Sequence, residues 1–324
     1  MIREVYKDIY TFEVTLPNSP LRAINSYVIK AKDKNIVIDT GYNRPESRQD
    51  LLEGLKQLDI DIKDTSLILT HLHADHSGLT NLFSDNQVDI YAGEVDGKFI
   101  NQMATGEYWD LIGSFKPLYG LYEDEITIED NPGYNFKLDR PVEFKTLNFG
   151  DVIEIGDYAF EVIDLKGHTP GHLGLFDRKH KIMFSGDTVL DPITPNITFW
   201  GFDYDNILNT YMETLRELKK TDVDLLFASH RRVIDNHEER IDEILNHHQE
   251  RLEEILLSMD DKPMTIRDIS AKISWRIRAD GWDDFPKPQK WFATGETMSH
   301  MEYLVLKEKV KMENIDGVLY FTKI

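Results

Sequence analysis

Thr70-His71-Leu72-His73-Ala74-Asp75-His76-Ser77-Gly78 places four metal-capable side chains within six residues. The apolar run before it, Ser66-Leu67-Ile68-Leu69, reads as a buried strand, and residues 79–83 read as the start of a helix. His71, His73, Asp75 and His76 therefore fall on a strand-to-helix loop, where a rigid scaffold can aim them into a cleft. The alternative is a solvated loop that happens to be rich in histidine. A lone histidine favours that alternative, whereas H-x-H-x-D-H in this setting favours a metal centre. Such a centre needs neutral imidazoles and carboxylates converging at about 2.0–2.2 Å from the ion. His71 and His73 can point the same way, with Asp75 and His76 on the far side of the turn.

The chain has 324 residues, 41% hydrophobic and 29% charged, as expected of a globular protein with more than one domain. No run of about 18 apolar residues indicates a membrane span. The first residues, Met1-Ile2-Arg3-Glu4-Val5-Tyr6-Lys7, lack the apolar core of a signal peptide, so a cytoplasmic location is expected. Cysteine is absent, so any metal must be held by nitrogen and oxygen donors. The net charge is −21 and uneven: residues 262–324 hold 11 Lys/Arg against 9 Asp/Glu, while residues 1–261 carry −23. An acidic body of this kind repels phosphate backbones, which argues against non-specific nucleic-acid binding.

Working outward, residues 9–14, 24–30 and 35–39 read as strands, and Asp39-Thr40-Gly41 hands the chain to a helix over 45–58. Asp39, at a strand end, is either a turn residue or one that orients a metal ligand from behind. A strand at 88–91 and a helix over 93–103 extend the alternation. Residues 104–141 break it, with Tyr108, Trp109, Phe115, Tyr119, Tyr122, Tyr134 and Phe136 among interleaved Gly and Pro. Long irregular segments in compact domains are commonly functional. This one reads as a lid-like insertion over the cleft, or as an oligomer contact.

Strands resume at 143–145, 151–155 and 158–164, followed by Lys166-Gly167-His168-Thr169-Pro170-Gly171-His172-Leu173-Gly174. Two more strands end in Gly186-Asp187-Thr188 and in Ser229-His230-Arg231-Arg232, and strand ends are where open α/β folds collect site residues. Amphipathic helices are predicted over 204–220 and 237–259, with His247 and His248 of the second on its solvated surface. After Asp260-Asp261-Lys262-Pro263 the pattern changes to short helices over 265–274 and 297–309, then a hairpin of strands at 310–312 and 318–322. The expected division is a catalytic domain over 1–261 and a small winged-helix-like domain over 262–324. The second packs against the body or a partner chain in a homo-oligomer.

Asp39, His71-x-His73-x-Asp75-His76, His168, Asp187 and His230, in this order and at strand ends, resemble the metallo-β-lactamase superfamily of hydrolases over roughly residues 1–235. The resemblance implies an α/β fold, an αββα sandwich with the metal site along one edge. The long helix and C-terminal module are similar to the β-lactamase-like protein 2 subgroup, which includes an endoribonuclease and small-molecule hydrolases. It implies a first zinc on His71, His73 and His168, and a second on Asp75, His76 and His230. Asp187 bridges them, His172 lends support, and Asp75 takes a proton during catalysis. Position 73 is His, unlike the acidic residue of diiron relatives, so a zinc hydrolase is the expected reading. Iron and manganese also accept such donors. Ser229-His230-Arg231 departs from the family's usual Gly-His-Gly and puts an arginine beside the metals, either a surface charge or an anion clamp.

The expected activity is hydrolysis of a small ester, thioester or lactone by a dinuclear zinc site. The rival readings are a phosphodiesterase acting on single-stranded RNA, and a DNA- or partner-binding protein with a vestigial metal site.

Overall fold

Side chains along the strands alternate between two cores, and that alternation produces the layers. The computed structural model describes residues 1–204 and 206–324. Among the described residues, seven strands pair in chain order: β1 (Arg3–Tyr6), β2 (Ile9–Thr15), β3 (Ala23–Ile29), β4 (Asn35–Ile38), β5 (Thr65–Ile68), β6 (Ile90–Gly93) and β7 (Lys145–Leu147). Pairing is antiparallel from β1 to β4 and parallel from β4 to β7.

The second sheet contains β8 (Val152–Ile155), β9 (Tyr158–Asp164), β10 (Leu173–Asp177), β11 (Ile182–Gly186) and β12 (Leu225–Ala228), in the spatial order β12-β11-β10-β9-β8. Ile36, Ile38, Ile68, Leu173, Leu175, Ile182, Phe184 and Phe227 meet between the sheets. Their alternate neighbours Val37, Leu67, Phe176, Met183 and Leu226 belong to the outer core, under the helices. The result is an αββα sandwich. The two sheets are also joined at one edge, where Leu173 N donates to Thr70 O at 3.0 Å and Asn25 N donates to Ser229 O at 2.7 Å.

The helices on the outer faces begin with α1 (Pro45–Gln57), whose Pro45 occupies the first turn, where no N–H is needed. There follow α2 (Ala74–Ser77), α3 (Thr80–Asp85), α4 (Glu94–Thr105), α5 (Glu107–Leu118), α6 (Pro132–Phe136), α7 (Ile207–Leu218) and α8 (His237–Ser258). The helix expected over 204–220 begins at Ile207, and Asp205 lies outside the described residues. The irregular segment expected at 104–141 contains α5 and α6. Gly106, read as a loop signal, is a left-handed cap between α4 and α5, and Pro117 sits in the last turn of α5.

The chain ends with β13 (Met264–Thr265), α9 (Ile266–Ser270), α10 (Lys287–Leu306), β14 (Val310–Ile315) and β15 (Val318–Lys323), the three strands forming a sheet in the order β13-β15-β14. A capping box of Thr265 and Asp268 opens α9. The helix expected at 297–309 starts ten residues earlier, because Pro286 and Pro288 occupy its cap and first turn, where proline is tolerated. Met298, Met301 and Leu304 of α10 share the outer core with Tyr211 and Leu215 of α7.

This packing corrects the surface reading of His248, which is 1% exposed. Its Nδ1 lies 3.1 Å from His300 Nε2, because His248 stands on the same helical stripe as Ile241, Ile244, Leu252 and Ile255 and meets α10 there. The insertion is also tied to this end of the chain. Asp124 accepts from Lys290 Nζ at 2.7 Å, Trp282 Nε1 at 2.7 Å and Arg267 Nε at 3.1 Å. No described helix is long and apolar enough to cross a membrane.

Candidate metal centre

The edge where the two sheets are joined collects the ends of several strands. β4 delivers Asp39, β5 delivers Thr70 and His71, β11 delivers Asp187 and β12 delivers His230, while the loop entering β10 brings His168 and His172. Alternation along the loop after β5 sends Leu72 into the core and leaves His71 and His73 on the opposite side. Helix α2 then places Asp75 and His76 on one turn.

All seven residues expected as ligands come together here. His71, His73 and His168 form one triad, Asp75, His76 and His230 another, and His71, His76 and Asp187 a third that overlaps the first two. Their donor atoms lie within 4.8 Å of one another in each group. Asp187 Oδ1 is 3.5 Å from His76 Nε2, and its Oδ2 is 3.5 Å from His230 Nε2 and 3.8 Å from His168 Nε2.

The hydrogen bonds behind the rings define which nitrogen faces inward. His168 Nδ1 donates to Asn196 O at 3.0 Å, and His230 Nδ1 donates to Ala23 O at 3.0 Å. His76 Nδ1 donates to Asp39 Oδ2 at 2.7 Å. Thr70 Oγ1 gives its own proton to Asp39 Oδ2 at 2.8 Å, so it accepts from His71 Nδ1 at 3.1 Å. His71 and His168 therefore direct Nε2 lone pairs at His73 Nδ1, at 3.1 and 2.9 Å. A proton on His73 Nδ1 can satisfy only one of these two lone pairs, and the other is left without a donor unless a cation sits among them. Ligands about 2.1 Å from a tetrahedral ion stand about 3.4 Å apart, close to these spacings.

The other donors make the same point. His76 Nε2 and Asp187 Oδ1 are buried and have no hydrogen-bond partner among the described residues, and His230 Nε2 has only Asp75 Oδ2, 3.2 Å away but out of line for a hydrogen bond, a costly arrangement without a ligand. Burial, with repulsion from its neighbours, brings His73 down to about 3 and holds His71 well below its ordinary value, so both stay neutral and ligand-ready. Burial works against charge on His76 and His230 too. There, however, Asp39, Asp187 and Asp75 around His76, and Asp187 and Asp75 around His230, hold the rings above their ordinary values. Burial would raise Asp75, but His76 and His230 bring it down to about 2. The donor set fits divalent cations, which replace the histidine protons as partners of the carboxylates.

Three supporting residues hold the constellation. Asp39, with φ +58°, accepts from His76, from Thr70 N at 2.9 Å and from Ser229 Oγ at 3.2 Å. His172 Nε2 accepts from Asp187 N at 3.1 Å. Gly186 precedes Asp187 with φ +52°, and a Cβ there would stand 2.6 Å from the His172 ring.

Asp96, in the first turn of α4, was not singled out in the sequence. It accepts from Leu72 N at 3.0 Å, Thr169 Oγ1 at 2.6 Å and Gly171 N at 2.7 Å, joining the loop of His71 and His73 to that of His168. Burial pushes its carboxyl up to about 7 against the pull of those donors. Its position just past a parallel strand end was the available signal.

Aromatic rings border the site on two sides. Trp200 lies 5.9 Å from the His73 ring and packs against Phe99 and Tyr108. Tyr42 stacks on Phe136 at 4.3 Å, close enough to Asp75 for that charge to add to burial in raising its phenol. Arg231, read as a surface charge or an anion clamp, is exposed and donates to Pro20 O at 3.0 Å.

A family model described as Metallo-beta-lactamase superfamily matches residues 19–230. The chain is 25% identical over 307 residues to the probable metallo-hydrolase YqjP of Bacillus subtilis (strain 168), covering 91% of this chain and 92% of that protein. It is 27% identical over 176 residues to the acyl-coenzyme A thioesterase MBLAC2 of Homo sapiens, covering 52% of this chain and 58% of that protein. Its fold is similar to the crystal structure of metallo-beta-lactamase family protein TTHA1429 from Thermus thermophilus. That likeness has a TM-score of 0.81 and 23% identity, covering 99% of this chain and 100% of the other. The family match spans the strands and loops that build the donor cluster, and the chain belongs to the metallo-beta-lactamase superfamily.

Proposed function

We propose that the chain is a dinuclear zinc hydrolase that cleaves a small acyl ester, with thioesters the favoured class. The observation that carries the reading is the set of inward-facing donor atoms, several of them buried and unpartnered, on seven residues of one edge. His71, His73 and His168 would hold one ion, Asp75, His76 and His230 the other, and Asp187 would lie between them. Zinc bound there supplies Lewis acidity toward a carbonyl and a water acidic enough to attack at neutral pH.

The chain's own residues do the rest. Asp39, Thr70, Asn196 and Ala23 fix the rings, so little reorganisation is needed on binding. Asp75, held near a pKa of 2 and slightly open to solvent, stays anionic. It is suited to accept a hydrogen bond from the attacking water and orient it. Phe136 of the 104–141 insertion, half-buried and stacked on Tyr42, offers an apolar wall to an acyl chain and would set specificity, while Trp200 and Tyr108 pack behind the donors. The winged-helix-like segment 262–324 then serves as support for this site.

Two points favour a thioester. A thiolate leaving group, with a thiol pKa of about 8.5, departs without needing a proton from the enzyme. The similarity to an acyl-coenzyme A thioesterase points the same way. The test is elemental analysis, followed by turnover of matched thioester, oxygen ester, lactone and phosphodiester panels by metal-replete protein. Two metals per chain and preferred thioester turnover are expected. At most one tightly held metal, unchanged by added zinc, or phosphodiester turnover alone, would refute the reading.

A further inference from the structure

Residues 194–201 belong to no strand or helix, yet they carry the carbonyl that fixes His168 and the indole beside His73. Backbone without a ladder must find its partners elsewhere. For this segment they come from α10. Phe199 N donates to Gly295 O at 3.1 Å, and Ser299 Oγ donates to Ile197 O at 2.5 Å. Asn196 Nδ2 donates to Glu296 Oε2 at 2.7 Å and, at a longer 3.4 Å, to Phe292 O. The close approach requires a glycine, because a Cβ on Gly295 would stand 2.0 Å from Thr198 Oγ1.

Glu296 is itself held in place. Its Oε1 lies 3.7 Å from Arg251 Nε on α8, and that guanidinium donates to Glu254 and to Ser274 O and lies over Trp275. The carboxylate is nearly closed to solvent, with 12% of its side chain exposed, so its bond to the Asn196 amide is a charge-assisted one that water does not screen.

We propose that Glu296 is a positioning residue for the metal site. By clamping the Asn196 side chain it fixes the Asn196 carbonyl that receives His168 Nδ1–H, and α10 thereby sets where His168 Nε2 points. The inference rests on the metal reading above and adds the C-terminal segment to the machinery of the site. Without Glu296 the Asn196 amide keeps only its long contact to Phe292 O. The peptide carrying the carbonyl then moves more freely, and so does the ring it steers.

The test uses the full chain with Glu296→Ala, Glu296→Gln, Asn196→Ala and Met301→Ala. Zinc affinity is read by competition with a chromophoric chelator. Exchange of the His168 Nδ1 proton is read by NMR on histidine-labelled protein. Glu296→Ala should lower zinc affinity about 3- to 10-fold, less than the about 10- to 100-fold typical of a ligand's direct partner, and should speed that exchange. Asn196→Ala breaks the same link from its other end and should do the same. Glu296→Gln, whose amide oxygen still accepts from Asn196, should recover most of the loss. Met301→Ala lowers thermal stability through a cavity in the same helix and should leave affinity and exchange unchanged.

Equal losses of affinity in Glu296→Ala and Met301→Ala would show a merely structural role and overturn the proposal, as would an unchanged exchange rate in Glu296→Ala. A wild-type chain that takes up no zinc would refute the metal reading instead, and the exchange rate alone would then decide for or against the relay.

Discussion

Replacing Asp39 by Asn tests how the rings are oriented without changing the size of the group that orients them. The left-handed φ of +58° is one that Asn adopts readily, so the substitution adds no backbone strain. The carboxylate accepts four hydrogen bonds: Oδ2 from His76 Nδ1, Thr70 Oγ1 and Ser229 Oγ, and Oδ1 from Thr70 N. An amide has only one acceptor oxygen.

If that oxygen stays on Thr70 N, the amide NH2 meets His76 Nδ1–H. His76 must then carry its proton on Nε2, and the lone pair that faces the site is lost. If the amide is reversed, His76 keeps its partner but the buried Thr70 N–H faces another donor, at a cost of about 1–3 kcal/mol. One of two losses must therefore appear. Either metal affinity falls about 10- to 100-fold, or about 1.4–2.8 kcal/mol, or the metal-free chain loses about 1–3 kcal/mol of stability. Chelator competition measures the first and urea unfolding of the metal-free chain the second. A variant with both quantities unchanged would refute Asp39 as the acceptor that orients His76.

Asp187→Asn should lose metal affinity and activity together, whereas His247→Ala, half-buried on α8 and away from the site, should affect neither; metal titration alongside turnover separates them. Asp96→Asn leaves one of two backbone donors, Leu72 N or Gly171 N, facing an NH2 group, so unfolding should be easier by about 1–3 kcal/mol; an unchanged urea midpoint would count against its role in joining the two loops. Phe136→Ala should raise KM for acyl substrates while metal binding holds; a variant that loses metal instead would place Phe136 in support of the ligands. Burial brings His300 down to about 3 in the folded chain, below its ordinary value of about 6.5. Its contribution is therefore present above about pH 6.5 and lost toward pH 3, at up to about 1.4 kcal/mol per pH unit. Replacing His300 by Gln should flatten the acid limb of stability between pH 7 and about 4, and curves that run parallel to wild type would contradict the buried neutral state.

The donor residues were legible in the sequence because their chemistry is local. H-x-H-x-D-H between an apolar run and a helix start needs only a few residues to be recognised. His168, Asp187 and His230 each stand at the end of a short apolar segment with Gly, Pro or Ser beside it. The αββα layers were expected only from the family resemblance that those motifs carry: Ile36-Val37-Ile38 and Ile182-Met183-Phe184 are apolar throughout, and the structure shows which of them face the inner core and which the outer. The first helix could be read from Pro45, which opens it, and from its apolar spacing.

Only the tertiary structure decided how those donors are held, because their partners come from distant parts of the chain. Thr70 meets Asp39 across 31 residues, Gly171 meets Asp96 across 75 and Asn196 meets Glu296 across 100. A carboxylate at the start of α4 looks like any other acidic residue in a first helical turn until three donors from two loops are seen to end on it. His248 looked solvent-facing because imidazole is a polar group, although its spacing from Ile241, Ile244, Leu252 and Ile255 puts it on the apolar stripe of α8; only the structure shows that His300 of α10 is there to meet it. The C-terminal helix was misplaced by ten residues because Pro286 and Pro288 break a helix in its interior but open one at its start, and sequence alone does not distinguish those positions. Strand period, turn chemistry and ligand spacing act within about ten residues and are written in the chain. Burial and hydrogen-bond partnership are properties of surfaces that meet only after folding, and here those surfaces aim the ligands.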